Sequence, residues 1–373
     1  MQDSKLPNAI DFKGQKFYVG LDVHKKSWSV TVRSLDKQVA HFTQPPSANS
    51  LVLTLKKKFP GGVFYSAYEA GFCGTSAHEQ LCKLGITNII VHAADIPSTD
   101  KQKKNKTDLH DSRSIAENLE RNNLRGIYVP TREQQELRSL FRLRETKVKE
   151  VTRANNRLKS SLNYYDIVIP EKVTKKEFIS TKVLEWLDNL ELASEAGTIT
   201  KQEQIEELRH QRKQLSKITR QLRQQIQTIH GEDYPRLLTI PGVGAITSMA
   251  FLAEIADFAR FDNPDKYCSY LGLMPWSDSS GDSIKTKGIQ PRCNKHLRPL
   301  IIEASWVAIR TAPELFAYYS KHAVKNNKHA IIKVARRLAL IVRGVVIKKE
   351  GYKANYLQQK LQKERSDKQL KQA

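Results

Sequence analysis

The stretch YVGLDVH, residues 18–24, is an apolar run with an acid, Asp22, near its end. Its β-branched and aromatic residues predict a strand with Asp22 at the end. A second run of this kind, FYSAYEAG at 64–71, carries Glu69 in the equivalent place. Each acid therefore lies at the end of a predicted strand, where the edge of a sheet would expose it.

Two more acids follow in KTDLHD, where Asp108 and Asp111 lie one helical turn apart and share a helix face. With Asp22 and Glu69 they form a set of four carboxylates that can meet at one edge of a sheet. Oxygen ligands of this type suit Mg²⁺ or Mn²⁺. Two such ions about 4 Å apart stabilise the entering and leaving oxygens of a phosphoryl displacement. The set predicts a metal site, although each acid alone would pass as an ordinary helix-start or strand-end residue.

The chain around these acids is strongly basic. It contains 62 Lys and Arg against 39 Asp and Glu, a net charge of +23, in 373 residues with 39% hydrophobic content. That length and content are those of a globular protein of two or three domains rather than a disordered polycation. The spread of positive charge favours a polyanionic partner such as DNA, RNA or an anionic membrane.

Membrane and disulfide signals are weak. No apolar run reaches the roughly 18 residues of a membrane span, and the start of the chain lacks the apolar core of a signal peptide. A cytoplasmic, membrane-free protein is therefore expected. Cysteines 73, 82, 268 and 293 show neither CxxC pairing nor zinc-ligand spacing, and we expect them to be reduced.

From Phe17 to about Leu124 the pattern alternates between strands and helices. Three early strands with short connections precede a helix, a strand, a helix, a strand and a helix that begins near Lys106. This is the order of an RNase H fold, which would bring the four acids together. The sequence alone does not establish the order of strands in the sheet.

The middle of the chain predicts two long helices. Apolar residues recur at alternating four and three residues from Leu137 to Tyr165 and again from Ile205 to Ile229, and Thr131 and Thr200 are predicted to start capping boxes. The spacing indicates a helical hairpin or a coiled-coil dimer arm in which Asn155 sets the register. Two amphipathic helices packed on their own domain remain the alternative.

The last part reads as a compact, mainly helical region. PGVG at 241–244 predicts a tight turn of the helix-hairpin-helix type, in which Gly242 and Gly244 allow contact with a nucleic-acid backbone. PG turns also simply join helices. A polar loop is expected at 270–288, where Trp276 either stacks on a base or closes a core edge. The tail from about Lys353 is expected to be disordered.

Basic residues beside these motifs are candidate phosphate contacts. They comprise Lys101, Lys103, Lys104 and Lys106 before the third acid, and Lys285, Lys287, Arg292, Lys295 and Arg298 after the polar loop. A solvated loop is the alternative interpretation of the first group. His24 is expected to be a surface or supporting residue rather than a ligand.

Together GLDVHK, YEAG, KTDLHDSRSIA, IPGVGAITS, YLGLMP, SSGDS and NKHLR, in this order, resemble the DEDD-type transposases of bacterial insertion sequences, relatives of the pilin-gene invertases. The resemblance runs over nearly the whole chain. It departs from the family pattern at AADIPS, residues 93–98, and in the segment after SSGDS.

The resemblance implies a domain layout, which is multidomain α/β plus α. The expected segments are a RuvC-like RNase H domain at 1–126, coiled-coil helices at 127–230, a mainly helical transposase domain at 231–352 and a basic tail at 353–373.

The resemblance also implies the chemistry. Asp22, Glu69, Asp108 and Asp111 match the family's acidic tetrad, and Ser280 matches its serine nucleophile, which would attack a DNA phosphorus and hold the cut end as a phosphoserine ester. It implies donor and target DNA, a structured bridge RNA encoded by the element, and a dimer or tetramer in which acids and serine meet from different subunits. In a bacterium such a protein would associate with the nucleoid.

Two other classes stay open. A hydrolytic nuclease, such as a Holliday-junction resolvase, would need the acids but not the serine. A nucleic-acid scaffold without enzymatic activity would need neither.

Overall fold

The computed structural model describes residues 11–97, 108–173, 179–280 and 283–353, with the backbone alone at 108–109, 277–280 and 283–287. The chain divides into two compact units, the first ending at Val129 and the second beginning at Pro130. Each has its own hydrophobic core. The finer division into four segments stays a prediction.

The first unit is a five-stranded mixed sheet with helices on both faces. Its elements are β1 (Lys16–Val23), β2 (Trp28–Ser34), β3 (Lys37–Gln44), α1 (Ala48–Lys58), β4 (Val63–Glu69), α2 (Ser76–Lys83), β5 (Thr87–Val91) and α3 (Asp108–Glu120). The strand order is β3-β2-β1-β4-β5. β1 to β3 are antiparallel neighbours, whereas β4 runs parallel to β1 and β5 parallel to β4. The predicted succession of strands and helices is confirmed.

The two faces of β1 carry different packing. Phe17, Val19 and Leu21 are fully buried in the core that includes residues of α1 and α2. Alternate residues point to the opposite face, where Gly20 meets α3. This is why β1 reads as an almost continuous apolar run: both of its faces are covered.

The second unit begins with two long helices. α4 spans Arg132–Tyr164, α5 spans Thr181–Asp188 and α6 spans Glu195–Ile229. The later part of α4 packs against the earlier part of α6. Their shared core includes Ala154, Leu158, Ile205 and Leu208, together with residues of α5. The two long helices therefore form a hairpin within one chain, which is one of the predicted arrangements.

Two details predicted for the starts of the long helices are wrong. The position expected to be the start of the second helix, Thr200, lies inside α6, and its hydroxyl donates to the carbonyl of Ala196 at 2.9 Å. Ser194 is the N-cap instead, accepting from the Gly197 amide at 3.2 Å, because its side chain satisfies an amide that the first turn leaves free. At the first helix Thr131 caps as predicted, but Gln134 does not complete a capping box and donates to backbone carbonyls of a later helix.

The remaining helices build one core with the near ends of the long helices, and the remaining strands pair with each other. They are α7 (Asp233–Leu238), α8 (Ala245–Ile255), α9 (Pro264–Tyr270), β6 (Pro275–Ser280), β7 (Ser283–Ile289), α10 (Leu297–Thr311), α11 (Pro313–Ala323) and α12 (Asn327–Lys348). Leu137, Phe141, Leu222 and Ile226 of the long helices share the core of these helices. None of the helices in the described ranges combines the length and apolarity needed to cross a bilayer.

Candidate functional site

Asp22 and Glu69 lie side by side at one end of the sheet. Leu21 of β1 pairs with Tyr68 of the parallel strand β4, so the acid that follows each of them is at the same level. Neighbouring strands are about 4.8 Å apart. Since Leu21 and Tyr68 are buried on one face of the sheet, both acids belong to the other face. Both are partly exposed.

α3 packs across that same face at Gly20. A side-chain carbon at position 20 would lie 2.0 Å from the carbonyl oxygen of Ser112 and 2.5 Å from the amide nitrogen of Ala116. The buried Ser112 hydroxyl lies 2.9 Å from the Thr31 hydroxyl and 3.2 Å from that of Ser29, both on β2. Only a glycine in β1 allows the helix to come this close to the sheet.

The other end of α3 is fixed beside the β2–β3 hairpin. The buried Glu120 carboxylate accepts from the Arg33 guanidinium at 2.7 Å and from the Asp36 amide at 2.9 Å. Arg33 pairs with Tyr18, nearer the start of β1. The N-terminal end of α3 therefore points towards the end of β1 that carries Asp22.

Distances along the elements bring the third and fourth acids to the same end of the sheet. Asp108 precedes Ser112 by four residues, about 6 Å along a helix, while Asp22 follows Gly20 by two residues, about 6.6 Å along a strand. Asp111 directly precedes Ser112. The backbone thus places all four predicted acids at one end of the sheet, although the structure describes no side chain for Asp108.

The described side chains do not form a metal cage by themselves. No group of three or more His, Cys, Asp and Glu in the described part of the chain has a geometry that could hold a metal ion. One carboxylate oxygen of Asp22 lies 3.0 Å from Nε2 of His24, a half-exposed residue of the β1–β2 turn. Four carboxylates nevertheless constitute an all-oxygen donor set of the type that Mg²⁺ and Mn²⁺ use. The metal role of the set stays a prediction.

The segment predicted to be a polar loop is a β-hairpin, and that prediction is wrong. β6 and β7 are antiparallel, with Ser280 paired to Ser283 at the end of the ladder. The β-branched residues of β7 explain the strand. Ser280 is thus the last residue of β6, and the structure describes only its backbone. The same holds for Lys285 and Lys287 on β7, of which the backbone alone is described.

The base of the hairpin is held by the segment that follows it. The Gln290 amide donates to the Met274 carbonyl at 3.0 Å. Arg298, a predicted phosphate contact, donates to the Gln290 carbonyl at 2.7 Å and to that of Gly272 at 3.3 Å. Its guanidinium therefore contributes to positioning the hairpin. Arg292 and Lys295 are exposed.

A buried carboxylate on α8, Glu254, is a feature that the sequence interpretation missed. It is fully buried and accepts two hydrogen bonds from Arg142, at 2.7 and 2.9 Å. The Asn294 side-chain amide donates to it at 3.0 Å, and the Asn294 side-chain oxygen Oδ1 accepts from the backbone amides of His296 and Leu297. The network joins α4, α8 and the NKHLR segment.

The charge state of Glu254 follows from these contacts. Burial alone would raise the pKa of its carboxyl, but the hydrogen bonds from Arg142 and Asn294 and the charge of Arg138 outweigh burial, and the pKa lies below the ordinary 4.5. The only sequence signal for this residue was a single acid in the apolar run SMAFLAEI.

The PGVG turn packs on the protein's own core. Gly242 has a φ of +79°, which favours glycine, and a side-chain carbon there would lie 2.2 Å from the carbonyl oxygen of Ala304 in α10. Gly244 is the exposed N-cap of α8. Contact of either residue with nucleic acid stays a prediction. Lys101, Lys103, Lys104 and Lys106 lie outside the described residues.

Comparison with known proteins finds two family models that match this chain. A family model for the DEDD transposases of IS110 type, described as a transposase, matches residues 19–166, which include all four acids. A second model, described as the transposase IS116/IS110/IS902 family, matches residues 234–320, which include Ser280. Together the two matches span more than half of the chain.

Individual relatives align over long stretches. The chain is 24% identical to the y4qE protein of Sinorhizobium fredii over 302 residues, 78% of this chain and 71% of the relative. It is 26% identical to the transposase for insertion sequence element IS1111A of Coxiella burnetii over 262 residues, 67% of this chain and 69% of the relative. The y4rJ protein of Sinorhizobium fredii is 24% identical across 90% of this chain and 92% of its own length. By both family matches, and by the order in which their motifs occur, the chain belongs to the IS110 family of DEDD transposases.

Proposed function

We propose that this protein is the transposase of an insertion sequence and that it cuts and rejoins DNA with an acidic metal site and a serine nucleophile. Membership of a transposase family supports DNA as the substrate. The main support for the chemistry is that Asp22 and Glu69 lie side by side on neighbouring parallel strands, and that α3 packs over the same face of the sheet.

A RuvC-like RNase H fold is part of the proposal. Its support is the strand order β3-β2-β1-β4-β5, with three antiparallel strands followed by two parallel ones. In this topology the carboxyl ends of β1 and β4 and the start of α3 share one end of the sheet. Divalent ions held there would stabilise charge on the phosphate oxygens during the displacement.

Ser280 is the proposed nucleophile. Its Oγ forms a bond to a backbone phosphorus, the bond from that phosphorus to the 3′ oxygen breaks, the serine proton passes to a base and the leaving oxygen takes up a proton. The resulting phosphoserine ester retains the bond for the reverse attack by another 3′ hydroxyl. Its place at the end of a hairpin, whose base is fixed by Arg298 and Gln290, supports a positioned nucleophile.

The partners belong to the proposal as well. We propose that a structured bridge RNA selects the donor and target DNA, and that a dimer or tetramer brings the acids of one subunit to the serine of another. The net charge of +23 supports a large nucleic-acid surface.

The test is covalent capture of DNA. Purified protein with its cognate RNA, Mg²⁺ and a suicide DNA substrate should give a protein–DNA adduct, which Ser280→Ala abolishes. Ser279→Ala is the matched control and should retain the adduct. Asp22→Asn and Asp111→Asn should lose both the adduct and cutting, because each removes one metal-binding carboxylate.

The alternatives give different results. Cutting that survives Ser280→Ala would identify a hydrolytic nuclease and contradict the nucleophile. A scaffold would be identified by two results together. The wild type would cut no DNA with any divalent ion, and Asp22→Asn and Asp111→Asn would bind DNA as tightly as the wild type.

A further inference from the structure

The outer face of α6 carries a row of exposed cations, which we name the α6 stripe: Lys213, Lys217 and Arg220. At 100° per residue these three lie within a narrow arc of the helix. Leu222 and Ile226, which are buried in the core, lie on the opposite side. The stripe therefore points away from the helix pairing.

Charge is unevenly distributed along α6. All its acids, Glu195, Glu203, Glu206 and Glu207, precede Leu208, and none occurs from there to the end at Ile229. In the part of the chain that the structure describes, no carboxylate lies within ion-pair distance of a stripe cation. The acids of the partner helix near this level are engaged elsewhere, Glu145 with His296 and Glu150 with Lys147.

Such a row costs the helix stability. Like charges at spacings of three and four residues repel one another on a helix surface. A local arrangement that lowers stability without a compensating contact in the chain indicates an external partner of opposite charge.

We propose that the α6 stripe binds the phosphate backbone of a DNA duplex. Lys213 and Arg220 are separated by about 10.5 Å along the helix, a length that spans about three phosphates of one duplex strand at 3.4 Å each along the axis. Between the cations lie the polar side chains of Ser216 and Gln214, and the stripe includes no aromatic ring on which an unpaired base could stack. These features fit contact with a paired backbone, independent of base sequence.

The proposal rests on the proposed function for its choice of DNA over RNA. Its test is binding to a fluorescent 30-base-pair DNA duplex of arbitrary sequence, measured in EDTA across a salt series. The variant Lys213→Gln with Lys217→Gln and Arg220→Gln should bind at least about tenfold more weakly near 100 mM salt. The slope of log affinity against log salt should become shallower by about 2 to 3. Its melting temperature should be no lower than that of the wild type.

The matched control removes the same charge from ion-paired sites. Arg132, Lys266 and Lys353 are exposed and pair with Glu136, Asp262 and Glu350. Their triple Gln variant should bind within about twofold of the wild type, because the partners hold these cations locally. A second variant, Lys213→Arg with Lys217→Arg and Arg220→Lys, should keep the affinity, because phosphate contact needs the charge.

Three results would overturn the proposal. The stripe variant could bind the DNA duplex as tightly as the control variant, and any loss of affinity would then come from the lower net charge alone. It could lose affinity for an RNA duplex of the same sequence and none for DNA, which would make the stripe an RNA surface. It could melt well below the wild type, which would make the stripe part of the fold. Since EDTA prevents cutting, an absent serine–DNA adduct would contradict the proposed function and leave this binding result intact.

Discussion

At the scale of single residues, Glu254 shows how a buried charge is maintained. Its carboxylate receives two bonds from Arg142 and one from Asn294. Removing one partner of a buried ion pair costs more than the pair contributes, because the other partner is left without compensation. Here Arg142 is half exposed, so water can recover part of that loss.

We expect Glu254→Gln to destabilise the second unit by about 2–3 kcal/mol at pH 7, which is at or below the roughly 3–5 kcal/mol of a broken buried pair because water reaches the half-exposed Arg142. Because the folded-state pKa of Glu254 is lowered, its contribution is present above the unfolded pKa of about 4.5 and is lost as the pH falls through the folded pKa. The difference in free energy of unfolding between variant and wild type should therefore become smaller below about pH 4.5. Urea unfolding at several pH values measures it.

The control for this variant is Asp262→Asn, which breaks an exposed pair with Lys266. It should leave stability almost unchanged, because an exposed ion pair is screened by water. A Glu254→Gln protein as stable as this control, or a difference that does not depend on pH, would contradict the network.

The positions of Asp22 and Glu69 in the sheet were predictable from sequence because each carboxylate lies at the end of an apolar run. Asp22 and Glu69 needed only strand periodicity to be placed at the end of the sheet. Glu254 was not predictable, because its partners come from residues far away in the chain, Arg142 and Asn294. Sequence patterns report local spacing and carry no information on such contacts.

At the scale of elements, the α4–α6 hairpin combines apolar layers with polar interruptions. Arg144 of α4 donates to the Thr219 hydroxyl of α6 at 3.2 Å. Asn155, another interruption, has a buried carbonyl oxygen with no hydrogen-bond partner within the described residues. An unsatisfied buried acceptor lowers stability.

Asn155→Leu should therefore stabilise the hairpin by about 1 kcal/mol, since an apolar side chain leaves no polar atom unsatisfied. Thermal unfolding and light scattering after gel filtration would measure stability and subunit number together. Asn156→Leu, at the exposed neighbouring position, serves as the control and should change stability little. A less stable Asn155→Leu protein, or one with a changed subunit number, would show instead that the amide sets the register.

Element types were predicted better than element ends. Apolar spacing identified both long helices, but Thr200 resembled an N-cap as closely as Ser194, and only the observed hydrogen bonds separate them. The β6–β7 hairpin was missed because its residues are polar. The sequence did contain one signal for it. Gly281-Asp282 is a pair typical of two-residue hairpin loops, and the β-branched residues Ile284 and Thr286 follow it.

At the scale of the whole molecule, the two compact units have separate cores. The first contains the complete five-stranded sheet, with helices on both faces. Independent cores indicate units that fold by themselves. The sequence predicted this first unit well, because its strands and helices follow one another locally.

A fragment of residues 1–129 should therefore fold alone, with a cooperative thermal transition by circular dichroism. Gly20→Val in the same fragment is the comparison. Its side chain would collide with the Ser112 carbonyl of α3, and we expect a melting temperature lower by several degrees. A wild-type fragment without a cooperative transition would show that this unit depends on the rest of the chain.

The contact between Gly20 and α3 also limits how such proteins can diverge. Any larger residue at this position would push the helix, and the acids at its start, away from the strand that ends at Asp22. Evolution can change the surrounding apolar residues among Val, Ile and Leu, but we expect it to retain Gly-x-Asp as a unit. Genome searches for distant members could use that triplet as an anchor even where overall identity has fallen too low to align.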